Sequence, residues 1–93
     1  MKTFRLQIAA PDGLRYDGEA AQISVRGIAG DLAVLPGHIP FVTALKDGDC
    51  RVYTDREGEI RRAKCRGGML IVSKDAVRVM SSDFVWEDEK TKE

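Results

Sequence analysis

Apolar and polar residues alternate through most of the chain. Residues 4–10, 21–26, 50–53 and 77–79 follow this period of two. Successive side chains of a strand point to opposite faces, so each run predicts a strand with one apolar and one polar face. Residues 69–72 (Met-Leu-Ile-Val) are apolar at every position and predict a central strand that is covered on both faces.

Turn residues separate these runs at short intervals. They occur at 11–13, 17–18, 27–30, 36–37, 47–48, 57–58, 67–68 and 73–75. Short strands with frequent turns predict an all-β fold, an antiparallel β-sandwich or flattened barrel of about nine to ten short strands. Residues 81–83 are expected to end the last strand, which gives one domain over residues 1–82 and a short charged tail over residues 83–93.

The composition excludes several function classes. Lysine plus arginine and aspartate plus glutamate both number 15 in 93 residues, so no basic excess indicates nucleic acid. No run approaches the roughly 18–20 apolar residues of a membrane span, and the start of the chain has no signal-peptide pattern. We therefore expect no direct membrane insertion and a reducing, cytoplasmic compartment.

The two cysteines are too few for a disulfide framework and lack the spacing of a zinc site. Pairing Tyr53 with Arg62 across a loop near Glu57 would place Cys50 opposite Cys65 on one face. The favoured interpretation is two small core residues with free thiols, and a redox switch is the alternative.

The only histidine lies on a constrained corner. Pro36 and Gly37 suit the central positions of a type II turn, and Pro40 favours an extended conformation at Ile39. A lone histidine on such a corner could bind a metal or act as a general base, but no second histidine is present. A structural or interface role for His38 is favoured, and we predict no catalytic, cofactor-binding or metal site.

Residues 26–45 read RGIAGDLAVLPGHIPFVTAL. This stretch resembles the epsilon subunits of rotary F-type ATP synthases, in which Gly-(Asp/Glu)-Leu-Gly-Val-Leu-Pro-Gly-His-x-Pro precedes a strand that ends near Thr-Ala. Similar residues continue upstream at 4–8, 11–13 and 16–18, and downstream at 46–48 and 67–72. The resemblance covers residues 3 to about 81 in order.

The resemblance implies a non-catalytic central-stalk (rotor) subunit that couples the c ring to the gamma shaft of a proton- or sodium-translocating ATP synthase. It implies the gamma subunit and the c ring as partners, no cofactor, and a monomer in isolation. The expected location is peripheral, on the cytoplasmic face of the cell inner membrane.

The resemblance also implies the contact residues. The loop that is expected to face the c ring consists of Ile28, Ala29, Gly30 and Asp31. The acid at Asp31 would face a polar c-subunit loop containing arginine. The positions that are expected to face gamma are Ala10, His38 and Arg66. Two of these positions depart from the family, since Ala29 replaces a frequent acid and Arg66 a frequent small residue.

Two further segments leave alternatives open. Gly67 and Gly68 either form a two-residue hairpin turn or allow close approach of a neighbouring backbone. Epsilon subunits continue into a C-terminal pair of helices, and this chain ends where they would begin. Inhibition of hydrolysis and ATP sensing are therefore not expected. Residues 84–86 (Phe-Val-Trp) either cover an edge of the sandwich or are the start of a missing helix.

Two other functions compete with the rotor subunit. A biotinyl or lipoyl carrier domain is also a small β-sandwich, and Lys74 in a turn would be its attachment site. The residues around Lys74 do not match the usual carrier signatures. A hydrolytic or metal enzyme is the other alternative, but the chain lacks metal-ligand spacing, a nucleophile elbow and a phosphate-binding loop.

Overall fold

The computed structural model of the protein describes residues 2–87. Nine strands follow one another: β1 (Phe4–Ala10), β2 (Gly13–Gly27), β3 (Gly30–Val34), β4 (Phe41–Leu45), β5 (Gly48–Thr54), β6 (Ile60–Arg66), β7 (Gly68–Val72), β8 (Val77–Met80) and β9 (Asp83–Trp86). The predicted all-β sandwich is confirmed.

The strands form two halves around one core. One half has the order β1-β8-β7-β4, and the other has the order β2-β5-β6-β9, with β3 paired to β2. The long strand β2 joins the halves, because its first part pairs with β1 and its last residue, Gly27, pairs with Leu45 of β4.

One pairing differs from the expected antiparallel arrangement. β1 and β8 run parallel, from Leu6 opposite Val77 to Ala9 opposite Met80. Parallel neighbours cannot be joined by a tight turn, and here most of the chain lies between the two strands. The sheet is therefore mixed, although every other pairing among the described strands is antiparallel.

The core follows the alternating pattern of the sequence. Leu6 and Ile8 of β1 and Val77 and Val79 of β8 are buried, as the period of two predicts. Their intervening residues point outward. The largest fully buried side chains are Phe84, Leu6, Ile8, Ile23, Leu70, Val34, Val52, Val79 and Cys50.

The expectation that β7 is covered on both faces is wrong. Leu70 and Val72 are buried, but Met69 is 36% exposed and Ile71 is only partly buried. Strand β7 lies inside its sheet, between β4 and β8, but nothing in residues 2–87 forms a third layer over its outer face. The four apolar residues therefore occupy two different environments.

The predicted register of the β5–β6 hairpin is wrong by two residues. Tyr53 pairs with Ile60, Cys50 with Ala63 and Gly48 with Cys65. The loop is shorter than expected, because the Thr54 amide already donates to the Glu59 carbonyl at 3.2 Å. A shift of two keeps every side chain on its predicted face.

Both cysteines are free and buried in the core. Burial raises the pKa of the Cys50 thiol well above its ordinary value, and the nearby Cys65 raises it further. Burial also raises the pKa of Cys65, although its hydrogen bond with Ser81, at 3.4 Å, opposes that shift. The thiols therefore behave as small apolar core groups.

The sheet continues past residues 81–83, where we expected the last strand to end. Strand β9 pairs with the outer edge of β6 and buries Phe84 and Trp86, whose ring centroids lie 5.0 Å apart. The Trp86 indole donates to the Arg15 carbonyl at 3.0 Å. The interpretation that this segment covers an edge is confirmed. The rest of the expected tail, residues 88–93, lies outside the described part of the chain.

Gly67 and Gly68 do not form a hairpin turn, because β6 and β7 belong to different halves of the sandwich. Gly68 has a φ of 111°, and a Cβ placed on it would lie 1.9 Å from the Met80 carbonyl oxygen. The alternative interpretation, close approach of a neighbouring backbone, is confirmed. Because glycine has no side chain, the chain can pass from one half of the sandwich to the other while its backbone packs directly on the backbone of β8.

Candidate interaction surfaces

The loop assigned to the c ring is the tip of the β2–β3 hairpin. Ile28 is 60% exposed, and its backbone amide donates to the Ala44 carbonyl of β4 at 3.0 Å. Gly30 has a φ of 138°, which favours glycine at this position. The hairpin therefore presents an apolar side chain at a tip that is anchored to β4.

Asp31 has a partner that the sequence did not reveal. It lies directly opposite Arg26 in the β2–β3 ladder, with 3.2 Å between Arg26 Nε and Asp31 Oδ1. The Asp31 side chain is 75% exposed, and an exposed pair contributes only about 0–1 kcal/mol. Arg26 and Asp31 lie at equal distances in sequence from the two tip residues, Ile28 and Ala29. In a hairpin with a two-residue tip, this spacing places the two side chains opposite each other.

The corner that carries His38 has the predicted geometry. The His38 amide donates to the Leu35 carbonyl at 3.2 Å, and Gly37 has a φ of 84°, as a type II turn requires. The imidazole is exposed, and its centroid lies 5.6 Å from that of Phe41, the first residue of β4. His38 is therefore positioned just before β4 begins.

Ala10 and Arg66 lie together, at the other end of β4 from His38. Residues 81–82 connect them, since Ser81 donates its amide to the Ala9 carbonyl at 3.0 Å and Ser82 donates to the Arg66 carbonyl at 3.3 Å. The Arg66 guanidinium is exposed and lies 3.9 Å from an Asp47 carboxylate oxygen. The three expected gamma contacts are thus divided between two places.

An exposed apolar surface lies between those places, on the outside of β1, β8, β7 and β4. One row across the strands places Ala44, Met69, Met80 and Ala9 side by side, and the next row pairs Val42 with Ile71. We call these six residues the apolar face. Val42 is 59% exposed, Met80 50% and Met69 36%. Arg78, which donates to the Gln7 side chain at 3.2 Å, forms its polar border.

Each residue that was expected to contact gamma lies close in sequence to a strand of the apolar face. Ala10 follows Ala9, His38 precedes β4, and Arg66 precedes β7 by two residues. Sequence reasoning missed the face itself, because the apolar run at residues 69–72 was interpreted as buried on both sides. The signal was present in that run, since its outward residues are apolar and nothing in residues 2–87 covers them.

The described residues contain no group of three or more histidine, cysteine, aspartate or glutamate side chains that could hold a metal ion. Within the same residues, every buried side-chain nitrogen and oxygen has a hydrogen-bond partner. Lys74 is exposed in the β7–β8 turn, where the Ser73 hydroxyl donates to the Ala76 carbonyl at 2.8 Å. No helix within residues 2–87 has the length and apolar character needed to cross a bilayer.

Comparison with known proteins decides the family. The family model described as "ATP synthase, Delta/Epsilon chain, beta-sandwich domain" matches residues 3–87. The chain belongs to this family. The resemblance drawn from residues 26–45 is therefore confirmed, and the match extends through strand β9.

Several curated relatives share this domain. The ATP synthase epsilon chain of Bacillus velezensis is 43% identical over 81 residues, which cover 87% of this chain and 60% of the relative. The epsilon chain of Bacillus licheniformis is 36% identical over 93 residues, covering 100% of this chain and 70% of the relative. The chain thus spans about 60% of the length of the first of these relatives.

Solved structures share the fold of this epsilon-type domain. A chain in the cryo-EM structure of the Euglena gracilis mitochondrial ATP synthase (OSCP/F1/c-ring, rotational state 1) superposes with a TM-score of 0.84 at 23% identity, covering 97% of this chain and 59% of that one. A chain of the Tetrahymena thermophila mitochondrial ATP synthase central stalk and c ring gives a TM-score of 0.73 at 11% identity, with coverages of 89% and 66%. At these identities the likeness concerns the fold.

Proposed function

We propose that the domain is a non-catalytic part of the rotor of an F-type ATP synthase, where it joins the gamma shaft to the c ring. One observation carries the proposal: the apolar face and the acid-bearing β2–β3 tip adjoin, through the hydrogen bond from Ile28 to Ala44. A domain with two adjacent surfaces of different chemistry can hold two partners at a fixed spacing. The family and the names of the relatives support this role.

The apolar face is the surface that fits gamma. Exposed apolar patches of this kind mark protein interfaces, because burying them releases about 25 cal/mol per Å². His38 and Arg66 lie at opposite ends of β4 and would form part of the polar rim of the contact, with the small Ala10 near Arg66. The rim residues then determine orientation, while Val42, Met69 and Met80 supply most of the buried apolar area.

The β2–β3 tip is the surface that fits the c ring. Ile28, Ala29, Gly30 and Asp31 would contact a polar loop of the ring, with Asp31 facing an arginine. Asp31 is already paired with Arg26, so binding the ring requires the carboxylate to accept from a second guanidinium. A carboxylate has acceptor sites for both, and burial in the interface would strengthen the new pair.

The same proposal places the domain at the cytoplasmic face of the inner membrane, as a peripheral member of the complex that couples protons or sodium ions. A carrier domain with Lys74 as the attachment site is the alternative, and the family match gives it no support. Mass spectrometry of the purified chain distinguishes the two, because a carrier would gain a biotinyl or lipoyl adduct on Lys74.

The gamma contact is tested by binding of purified gamma to Val42→Lys, with Ile60→Lys as the matched control. Ile60 is 37% exposed and lies outside the apolar face. We expect Val42→Lys to weaken binding by about tenfold or more, because it places a charge in the apolar area that the contact would bury. Equal affinities of the two variants would contradict the assignment.

The ring contact is tested with Asp31→Asn in the assembled complex, with Asp55→Asn as the control. Asp55 is an exposed acid in the β5–β6 loop. We expect Asp31→Asn to release the c ring at lower salt while gamma binding is unchanged. Retention of the ring equal to that of the control would remove Asp31 from the interface.

A further inference from the structure

A second outer face of the sandwich, opposite in character to the apolar face, carries charges in rows. The first row crosses β3, β2, β5 and β6 and consists of Asp31, Arg26, Asp49 and Lys64. The next row along the strands consists of Ala33, Ser24, Arg51 and Arg62. We call these eight residues the charged face.

The first row neutralises itself. Arg26 binds Asp31 at 3.2 Å, and Lys64 Nζ binds Asp49 at 2.5 Å. The Lys64 ammonium, through this hydrogen bond and its charge, lowers the pKa of the Asp49 carboxyl. Both acids of the row are therefore already in direct contact with a cation.

The second row is not neutralised. Arg51 and Arg62 are exposed and lie directly opposite each other in the β5–β6 ladder. No carboxylate within residues 2–87 forms an ion pair with either arginine, although Glu59 and Glu87 lie in the same shallow depression as Arg62. Like charges that face each other across a ladder destabilise the sheet. Among the described residues, the two facing guanidiniums therefore repel each other without a directly bonded carboxylate, although the charge of Arg51 also lowers the pKa of the nearby Asp49 carboxyl.

Space for a partner lies beside Arg51. A shallow groove runs along the charged face, with the small side chains Ser24 and Ala33 in the row of Arg51. Arg51 forms one wall of this groove, and Arg26 and Asp31 also line it. A side chain lying across β3 and β2 can therefore reach the guanidinium of Arg51 without moving the backbone.

We propose that the Arg51–Arg62 pair is a docking site for an acidic segment of a protein partner, which inserts a carboxylate between the two guanidiniums. Two cross-strand side chains with Cβ atoms about 5 Å apart can both donate to one carboxylate. The groove places Asp31 and Asp49 beside Arg26 and Arg51, so its charges alternate over a short distance and do not match the long, regular charge of nucleic acid or of an anionic membrane. A protein segment, which places an acid locally, fits this mixed pattern. The site is separate from the apolar face and does not depend on the proposed gamma contact.

In the test, hexaglutamate is titrated into the full chain and binding is measured by NMR. Hexaglutamine serves as the uncharged control peptide. We expect hexaglutamate to shift resonances of the outer β5–β6 face and hexaglutamine to shift none. Arg51→Gln/Arg62→Gln should weaken binding by about fivefold or more, whereas Arg56→Gln, in the β5–β6 loop, should not. Shifts that map elsewhere, or equal affinities of the two variants, would overturn the proposal.

Two further measurements distinguish an acidic protein segment from other occupants of the site. Inorganic phosphate that binds the pair as tightly as hexaglutamate would replace the proposal with a general anion site. Concentration-dependent dimerisation that the double variant abolishes would identify a second copy as the occupant.

A stability measurement distinguishes docking from a purely structural role. We expect Arg62→Glu to raise the urea midpoint, because it creates an opposite-charge pair with Arg51, and at the same time to abolish hexaglutamate binding. A lower midpoint would show that the two arginines do not repel each other, which would overturn the argument. The matched variant Arg56→Glu should leave both quantities unchanged.

Discussion

Replacing Gly68 with alanine should destabilise the domain more than replacing any glycine in an open turn. Gly68 has a φ of 111°, and its added Cβ would meet the Met80 carbonyl oxygen at 1.9 Å, so the backbone of β7 or β8 must shift. Gly58, in the β5–β6 loop, has a φ of 84° but nothing within 4 Å of the added Cβ. Comparing the two alanine variants therefore separates the steric effect of the added Cβ from the conformational cost of a positive φ.

The magnitude follows from these two contributions. A positive φ costs an alanine about 1–2 kcal/mol, and forcing extra volume into a packed site typically costs about 1–3 kcal/mol. Gly68→Ala should therefore lower the free energy of unfolding by about 2–5 kcal/mol, and Gly58→Ala by only about 1–2 kcal/mol. Since domains of this size are stable by on the order of 5–15 kcal/mol, the first variant loses a large part of its stability.

Urea unfolding followed by circular dichroism measures both variants against the parent chain, provided that the slope m is unchanged. If Gly68→Ala came within about 0.5 kcal/mol of Gly58→Ala, the close approach of β7 to β8 would not constrain residue 68, and our reasoning on this crossing would be wrong.

Three other predictions concern the core and the end of the chain. Leu70→Ala should cost about 2–5 kcal/mol and Ile71→Ala clearly less in urea unfolding, because only Leu70 is fully buried. Cys50 and Cys65 should be inert to a thiol reagent until the domain unfolds, and stability should fall as the pH rises above 9.0, the ordinary thiol pKa, since only the unfolded thiols then ionise. A chain that ends at Ser82 should lose its cooperative thermal transition, because removing β9 exposes the edge of β6.

The alternation of residues predicted most of the fold because burial of one face imposes a local period. Leu6 and Val79 were assignable to the core from their own neighbours alone. The parallel pairing of β1 with β8 could not be predicted in this way, because a local sequence pattern does not indicate which distant strand lies alongside. Strand β9 was missed for a related reason: an apolar run of three residues, 84–86, becomes a strand only when the edge of β6 is available.

The candidate surfaces were predictable in part. The motif around residues 26–45 located the β2–β3 tip and the His38 corner, since turn chemistry restricts both. The apolar face was missed, because Met69 and Ile71 look the same in sequence whether the chain itself or another protein covers them. The pairing of Arg26 with Asp31 and the repulsion between Arg51 and Arg62 depend on cross-strand register, which requires the loop lengths to be known.

Strand β2 has a mechanical consequence. It is one continuous strand of 15 residues that is hydrogen-bonded into both halves of the sandwich. Layers that meet only through side chains can slide under shear, but here a twisting load applied near Gly27 passes along covalent backbone into the opposite layer. Its ladder hydrogen bonds would have to break together before the layers could separate. Under torque, the domain should therefore deform at its loops first and return to its original shape when the load is removed.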